Sequence, residues 1–168
     1  MNYLKLQQDL IKELVNEPKK KQFIRIGRID GNVAILTEYS AFIVPSDKFL
    51  LDYEKIKNKL MEMEEHTIRN FIPNDLVNVV KTNDIKVIAG QRLNSKPVNC
   101  NKYLIDNKTP LYVNEKLMKY FDCENEYKGT NDKAPLFIYE DDMLVGFVLP
   151  VRVPKEEKEC AEWVNLMN

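Results

Sequence analysis

Glycine is scarce in this chain, which has 5 Gly among its 168 residues. Nucleotide-binding loops place glycines at fixed short spacings, so that the backbone can approach a phosphate closely. The glycines here fit neither the dinucleotide-binding pattern nor the P-loop pattern, since they are scattered over the chain: Gly27, Gly31, Gly90, Gly129 and Gly146. Nucleotide-driven chemistry is therefore not indicated.

Cysteine and long apolar runs are also scarce. Cys100, Cys123 and Cys160 lie far apart and form no C-x-x-C pair, so neither a disulfide framework nor a zinc site is indicated. No stretch approaches the roughly 20 apolar residues of a membrane span, and the N-terminus lacks the apolar block of a signal peptide. The sequence predicts a cytoplasmic protein with no metal and no cofactor.

A charge excess of either sign is missing as well. The formal net charge is −1, whereas a nucleic-acid-binding domain is normally basic as a whole. The 44% hydrophobic and 30% charged residues are typical of a globular protein, and the length suits one domain. We therefore expect a single α+β domain over residues 1–168, with helices packed against an antiparallel sheet.

Local patterns place the first elements. An apolar stripe predicts an amphipathic helix over residues 3–16. The stripe consists of Tyr3, Leu6, Leu10 and Leu14, with Ile11 and Val15 beside it. The turn signal Asp30-Gly31-Asn32 between apolar runs predicts a β-meander over residues 23–44. Asp52 suits the cap of a helix that continues to Glu65-His66.

The middle of the chain is harder to interpret. Residues 73–80 suit either a short helix that starts at Pro73 or a strand, and we prefer the helix. A strand is expected over 85–89. Residues 94–108 are rich in Asn, Lys, Ser and Asp, which predicts a mobile loop with a short extended piece at 103–105.

The last third has the clearest architecture. A strand at 111–113 leads to a helix capped by Asn114, and two apolar runs at 135–139 and 143–153 form a hairpin. The turn between the runs is Glu140-Asp141-Asp142. A final helix over 155–167 carries an apolar stripe at helical spacing, made of Cys160, Trp163, Val164 and Met167. We expect this helix and the helix at 3–16 to act as packing or oligomerisation arms.

Two groups of residues raise the question of catalysis. The lone His66 follows Glu64-Glu65 at a predicted helix end, where a surface position favoured by the helix dipole explains it. The acidic cluster Glu140, Asp141 and Asp142 suits a solvated turn better than a metal site, because adjacent turn residues point in different directions. We therefore predict no catalytic residue and no enzyme activity.

Basic residues form two groups that suggest nucleic acid as a partner. The candidate phosphate contacts are Lys19, Lys20, Lys21, Arg25 and Arg28 in the first group, and Arg92, Lys96 and Lys102 in the second. If both groups face one way, they form a sequence-blind, salt-sensitive binding surface. The alternative is an ordinary solvated face, balanced by the acidic run from Glu62 to Glu65.

Residues 111–153 resemble the final part of a bacterial DNA polymerase sliding clamp. In that family an apolar strand leads into a short helix, and the chain closes on a hairpin that ends in Leu-Pro-x-Arg or Met-Pro-x-Arg. The comparable residues are Val113-Asn-Glu-Lys-Leu-Met118, Pro135-Leu-Phe-Ile138 and Val148-Leu-Pro-Val-Arg152. The resemblance covers about a quarter of the chain.

The resemblance implies a clamp-like fold and a role in replication or nucleic-acid processing. This chain departs from the family because a clamp subunit is far longer, and because the sequence continues past Val153 towards Trp163. A non-catalytic accessory module that self-associates or docks on DNA-processing machinery is the first hypothesis. The second is a small inhibitor or adaptor from a mobile element, such as a phage anti-defence protein, that binds a protein partner. Trp163 and Arg152 are the candidate partner contacts.

Overall fold

The computed structural model of the chain describes residues 1–16, 23–88, 97–122 and 124–153. Within these ranges the fold is mixed α/β, with ten strands in one hydrogen-bonded order and few helices. The pairings of known direction are antiparallel except for one short parallel pair. The expected antiparallel sheet with helices is therefore confirmed, and the clamp-like character stays a prediction. No helix in these ranges combines the length and apolarity needed to cross a membrane.

The elements are as follows. The helices are α1 (Tyr3–Asn16), α2 (Tyr53–Lys57) and α3 (Glu65–Arg69). The strands are β1 (Arg25–Ile29), β2 (Asn32–Leu36), β3 (Ser40–Val44), β4 (Met61–Met63), β5 (Val77–Ile88), β6 (Pro97–Ile105), β7 (Thr109–Asn114), β8 (Glu126–Gly129), β9 (Leu136–Glu140) and β10 (Met143–Val148). The strand order is β4-β1-β2-β3-β10-β9-β8-β5-β6-β7.

The contacts divide the chain into two compact units. The first comprises Met1–Asp75, Tyr120–Asn125 and Ile138–Phe147. The second comprises Leu76–Lys119, Glu126–Phe137 and the chain from Val148 onward. The expectation of a single domain over residues 1–168 is not tested by this division and stays a prediction.

In the first unit the meander is present as β1, β2 and β3. The turn between β1 and β2 is the predicted one, with positive φ at Asp30 (49°) and Gly31 (77°). Ile26, Val33 and Phe42 are almost fully buried and form part of the core. The helix predicted over 3–16 is α1, whose Leu6 and Leu10 are each 4% exposed.

The helix predicted from Asp52 to His66 is wrong in its extent. Asp52 does cap α2, since its side chain accepts a hydrogen bond from the Lys55 N–H, but α2 ends at Lys57. Met61–Met63 instead forms β4, which pairs in parallel with β1. The apolar residues at helical spacing are therefore divided between a helix and a strand. The strand forms because its backbone can complete hydrogen bonds along β1.

In the second unit β6 lies between β5 and β7 and pairs antiparallel with both. On its other side, β5 pairs antiparallel with β8. The helix preferred over 73–80 is wrong, because the strand already begins at Val77. The loop predicted over 94–108 is wrong from Pro97 to Lys102, which belong to β6, whereas the extended piece predicted at 103–105 is present as the end of that strand. Cross-strand pairing outweighs the polar composition of these residues. Residues 94–96 lie outside the described ranges.

The hairpin predicted in the last third is present as β9 and β10. Its two turn residues, Asp141 and Asp142, have φ of 49° and 62°. The predicted strand lies within β7, and the Asn114 side chain accepts from the Lys116 N–H, but only one 3₁₀ turn follows, at Glu115–Leu117. The helix predicted over 155–167 lies outside the described residues.

Candidate partner-binding surface

Helix α1 carries two different apolar stripes. Leu6 and Leu10 face the core, whereas Leu4, Ile11 and Val15 are 55%, 41% and 72% exposed. Residues four and seven positions apart lie along one line of a helix, so Leu4, Ile11 and Val15 form an outer stripe, in which the exposed Gln8 lies between Leu4 and Ile11. The eleven rises of 1.5 Å between Leu4 and Val15 give this stripe a length of about 16 Å.

The buried Gln7 fixes the loop that lies beside the start of α1. Its Nε2 donates to the carbonyl oxygens of Tyr3 and Lys48 at 3.0 Å each, and its Oε1 accepts from the Leu50 N–H at 2.7 Å. Gln7 is only 2% exposed, so these bonds replace the hydration that the amide loses on burial. The loop is thereby held against the helix.

A shallow, open pocket of about 620 Å³ lies between this loop and the helix start. Leu50 is 69% exposed and lines the pocket together with Leu4. The full lining is Met1, Asn2, Tyr3, Leu4, Asp47, Lys48, Leu50 and Asp122. Large apolar side chains at the mouth of a pocket are a common feature of protein-binding surfaces.

Several residues that line the pocket belong to a network of charged groups. The Met1 amine donates to Asp122 and, at 2.9 Å, to Glu140, whose other carboxylate oxygen accepts from the Tyr3 hydroxyl at 3.2 Å. Burial opposes the charge on the amine, but the hydrogen bonds that the amine donates to Asp122 and Glu140, together with the charges of these carboxylates, outweigh burial and raise its pKa. Burial and the Glu140 charge together raise the pKa of Tyr3, so its hydroxyl keeps its proton.

The charged groups at the rim of the pocket suit the recognition of a partner protein. The Lys48 ammonium lies 4.9 Å from the centre of the Tyr3 ring, a cation–π contact that orders the rim. Carboxylates and ammonium groups thus surround an apolar mouth. Such a surface can hold an apolar anchor and discriminate between partners by charge.

The candidate nucleic-acid contacts are only partly described. Arg25 and Arg28 are both exposed on β1, but they are three residues apart and therefore point to opposite faces of the strand. The Arg28 guanidinium lies 4.2 Å from the centre of the Tyr53 ring. Lys102 is half-buried on β6 of the second unit. Lys19, Lys20, Lys21, Arg92 and Lys96 lie outside the described residues.

Of the two candidate partner contacts, only Arg152 is described. It is exposed in the extended segment after β10, next to Val151, whose N–H donates to the Tyr112 carbonyl at 2.7 Å. Trp163 lies outside the described residues.

None of the groups considered for catalysis lines the pocket, although Glu140 accepts hydrogen bonds from Met1 and Tyr3, which do line it. His66 is the second residue of α3 and is exposed, with its Nδ1 3.1 Å from the Glu64 carboxylate. Its predicted position at the end of a long helix is therefore wrong. Asp141 and Asp142 are exposed turn residues. No group of three or more metal-ligating side chains occurs among residues 1–16, 23–88, 97–122 and 124–153.

Part of this surface can be recognised in the sequence, although none of its residues is among the predicted site residues. Ile11 and Val15 lie beside the core stripe in the sequence pattern, so α1 is apolar over more than the face that it buries. Leu50 gave no such signal, because its exposure depends on the loop that Gln7 holds.

The comparisons with known proteins add no relative. No protein-family model matches the chain, and neither the curated proteins nor the solved structures include a match to it.

Proposed function

We propose that this chain is a non-catalytic binding module that self-associates through the outer stripe of α1 and serves as a clamp-like accessory protein in DNA replication or nucleic-acid processing. The exposure of Leu4, Ile11 and Val15 along one line of α1 is the observation that carries the proposal. Apolar side chains of this size gain free energy when a second surface covers them.

A second copy of the chain is the partner that fits this stripe best. Helices that pair along a stripe pack their side chains over several turns, and a stripe of about 16 Å offers three turns. In a two-fold symmetric dimer the same stripe lies on both sides of the interface, so one apolar surface covers the other. A clamp built from chains of this length also needs several subunits.

The nucleic-acid part of the proposal rests on the sequence. Residues 111–153, which resemble the end of a sliding clamp, contain most of β7, one 3₁₀ turn, β8, β9 and β10. Among the candidate phosphate contacts, Arg25 and Arg28 are exposed on opposite faces of β1, so one of the two can belong to a single binding surface.

The experiment combines light-scattering mass with fluorescence-anisotropy titrations against single- and double-stranded DNA at low and moderate salt. We expect an oligomer that binds DNA, with an affinity that falls steeply as salt rises. The double variant Ile11→Lys/Val15→Lys should weaken self-association about 10,000-fold, because a two-fold dimer loses two buried side chains from each copy and each is taken as about tenfold. Met143→Lys is the control, because Met143 is 60% exposed on β10 and belongs to a different element.

A monomeric wild-type chain would overturn the self-association. An oligomer without DNA binding at low salt would overturn the nucleic-acid role and leave the oligomer standing. The two parts of the proposal therefore fail separately.

Capture of a different protein is the second candidate function, in the manner of a small inhibitor or adaptor. The pocket beside Leu4 and Leu50 favours it, because these exposed apolar side chains lie next to Asp47 and Lys48 and suit an apolar anchor flanked by charged groups. A monomeric chain that binds no DNA would favour this candidate.

A further inference from the structure

The outer stripe of α1 has the spacing of a coiled-coil seam. Leu4, Gln8, Ile11 and Val15 follow one another at intervals of four, three and four residues, which matches alternating d and a positions of a heptad repeat. All four side chains are exposed. Gln8, at an a position, is the polar member of this set. A polar residue at a single a position sets the register of the helices that pair.

The two borders of the seam carry different charges. Lys5 and Lys12 occupy e positions, so they form one border, and both are exposed. Lys12 also contacts the Asp9 carboxylate at 3.5 Å. The other border consists of the g position of the buried Gln7 and of the loop that Gln7 holds, where Asp47 is exposed at the rim of the pocket. One border is therefore basic, and the other carries a carboxylate near the start of the helix.

These borders distinguish the two ways in which a two-fold axis can pair the helices. In a parallel pair the e border of one helix lies against the g border of the other, whereas in an antiparallel pair e lies against e. The parallel pair brings Lys5 of one copy towards Asp47 of the second copy. The antiparallel pair brings Lys5 towards Lys12. Charge complementarity therefore favours a second copy in the parallel orientation.

Gln8 favours the same orientation. In a parallel pair Gln8 faces Gln8, and each side-chain amide can donate a hydrogen bond to the carbonyl oxygen of the other. An antiparallel pair that places Leu4 opposite Val15 places Gln8 opposite Ile11. The amide is then covered by an apolar side chain without a hydrogen-bond partner, which costs free energy.

The position of the first unit also favours the parallel pair. Gln7 and Leu10 are 2% and 4% exposed and lie on the g side of the seam, so the unit packs on that side of α1. A parallel pair places the two copies of the unit on opposite sides of the helix pair. An antiparallel pair places both copies on the same side, where they compete for space.

We infer that two copies of the chain pair through α1 in parallel, with Gln8 facing Gln8 and Lys5 of one copy facing Asp47 of the second copy. This pairing depends on the self-association proposed above and gives it an orientation and its specificity-determining residues. The 14 residues of α1 make only two heptads, but each helix is already folded against its own unit, so pairing requires no helix nucleation.

Leu4→Cys tests the orientation, because the two copies of residue 4 lie side by side only in the parallel pair. A disulfide needs Cα atoms within about 7 Å, whereas antiparallel pairing separates the two copies of residue 4 by about 16 Å. After mild oxidation of the full chain we expect a disulfide between the two introduced thiols, identified by mass spectrometry of the linked peptides. Mixed Leu4→Cys and Val15→Cys chains should form no disulfide between positions 4 and 15. Met143→Cys, exposed on β10, is the control for collision between exposed thiols.

Charge reversal tests the specificity. Lys5→Glu and Asp47→Lys should each weaken the dimer about fivefold, because each variant places like charges at two contacts per dimer. The combined variant restores opposite charges and should return to within about twofold of the wild-type affinity. Lys108→Glu is the control, because it changes the net charge equally at an exposed turn between β6 and β7 and should leave the dimer unchanged.

The failures are distinguishable from one another. Far-ultraviolet circular dichroism shows whether each variant is folded. A disulfide between positions 4 and 15, with none between the two copies of position 4, overturns the parallel pairing and leaves self-association standing. A folded combined charge variant that is no tighter than the single variants overturns the contact of Lys5 with Asp47. A wild-type chain that is monomeric by light scattering overturns both this pairing and the self-association proposed above.

Discussion

Gly146 of β10 lies directly against the carbonyl oxygen of Ala41 in β3, and a Cβ at Gly146 would collide with that oxygen. The same Cβ would also meet the Phe121 ring at 3.0 Å. Neither obstacle is the free end of a flexible side chain, since one is backbone and the other is a ring stacked on Phe42. The absence of a side chain at this position therefore sets how closely β10 approaches β3.

Gly146→Ala should destabilise the protein by about 2 kcal/mol, because overpacking a filled site forces the backbone to shift. Urea denaturation measures the change. Gly129→Ala is the control with a smaller expected loss, because its Cβ would meet the Val79 methyl group at 3.3 Å, which can move. Equal losses in the two variants would contradict this account of Gly146.

Gln7→Leu should lower the free energy of unfolding by about 2 kcal/mol or more, because the Leu50 N–H and two carbonyl oxygens lose their partner where little water can replace it. Thermal or urea unfolding measures the loss. Lys5, which is exposed and lies off the outer stripe, provides the control, and Lys5→Leu should change stability little. A neutral Gln7→Leu would show that the loop does not depend on this side chain.

Asp142→Gly should stabilise the protein by about 0.5 to 1 kcal/mol, because glycine adopts the positive φ of this turn without steric cost. Asp142→Ala should have the opposite sign, since alanine pays that cost and forms no polar contact. Both values come from urea unfolding at neutral pH. A glycine variant less stable than the wild type would show that the Asp142 side chain contributes more than its backbone strain costs.

Stability should fall above about pH 9 through Cys100. Burial raises the pKa of this thiol from 9.0 to about 11. Between these values the unfolded chain ionises before the folded one, so the contribution of Cys100 is intact below pH 9 and is lost as the pH rises towards 11. Cys100→Ala removes that loss. Urea unfolding of both proteins at about pH 8 and about pH 10 gives the difference, which also cancels the titration of lysines and tyrosines. An equal pH dependence in both proteins would contradict the prediction.

The sequence by itself determined the elements whose signals are local. The apolar spacing of α1 is present within 14 consecutive residues, and the turns at Asp30-Gly31 and Asp141-Asp142 specify hairpins between adjacent apolar runs. A helix period or a two-residue turn depends on neighbours in the chain, so it can be recognised without knowing the rest of the fold.

Only the tertiary structure decided the elements that depend on distant partners. Met61–Met63 is a strand because β1 lies beside it, and Val77–Ile88 and Pro97–Ile105 are strands because they pair with each other. The candidate surface has the same origin, since the sequence marks Ile11 and Val15 as apolar but does not show that they stay uncovered. Hydrogen bonds and burial between residues far apart in the chain decide such outcomes, and local pattern does not contain that information.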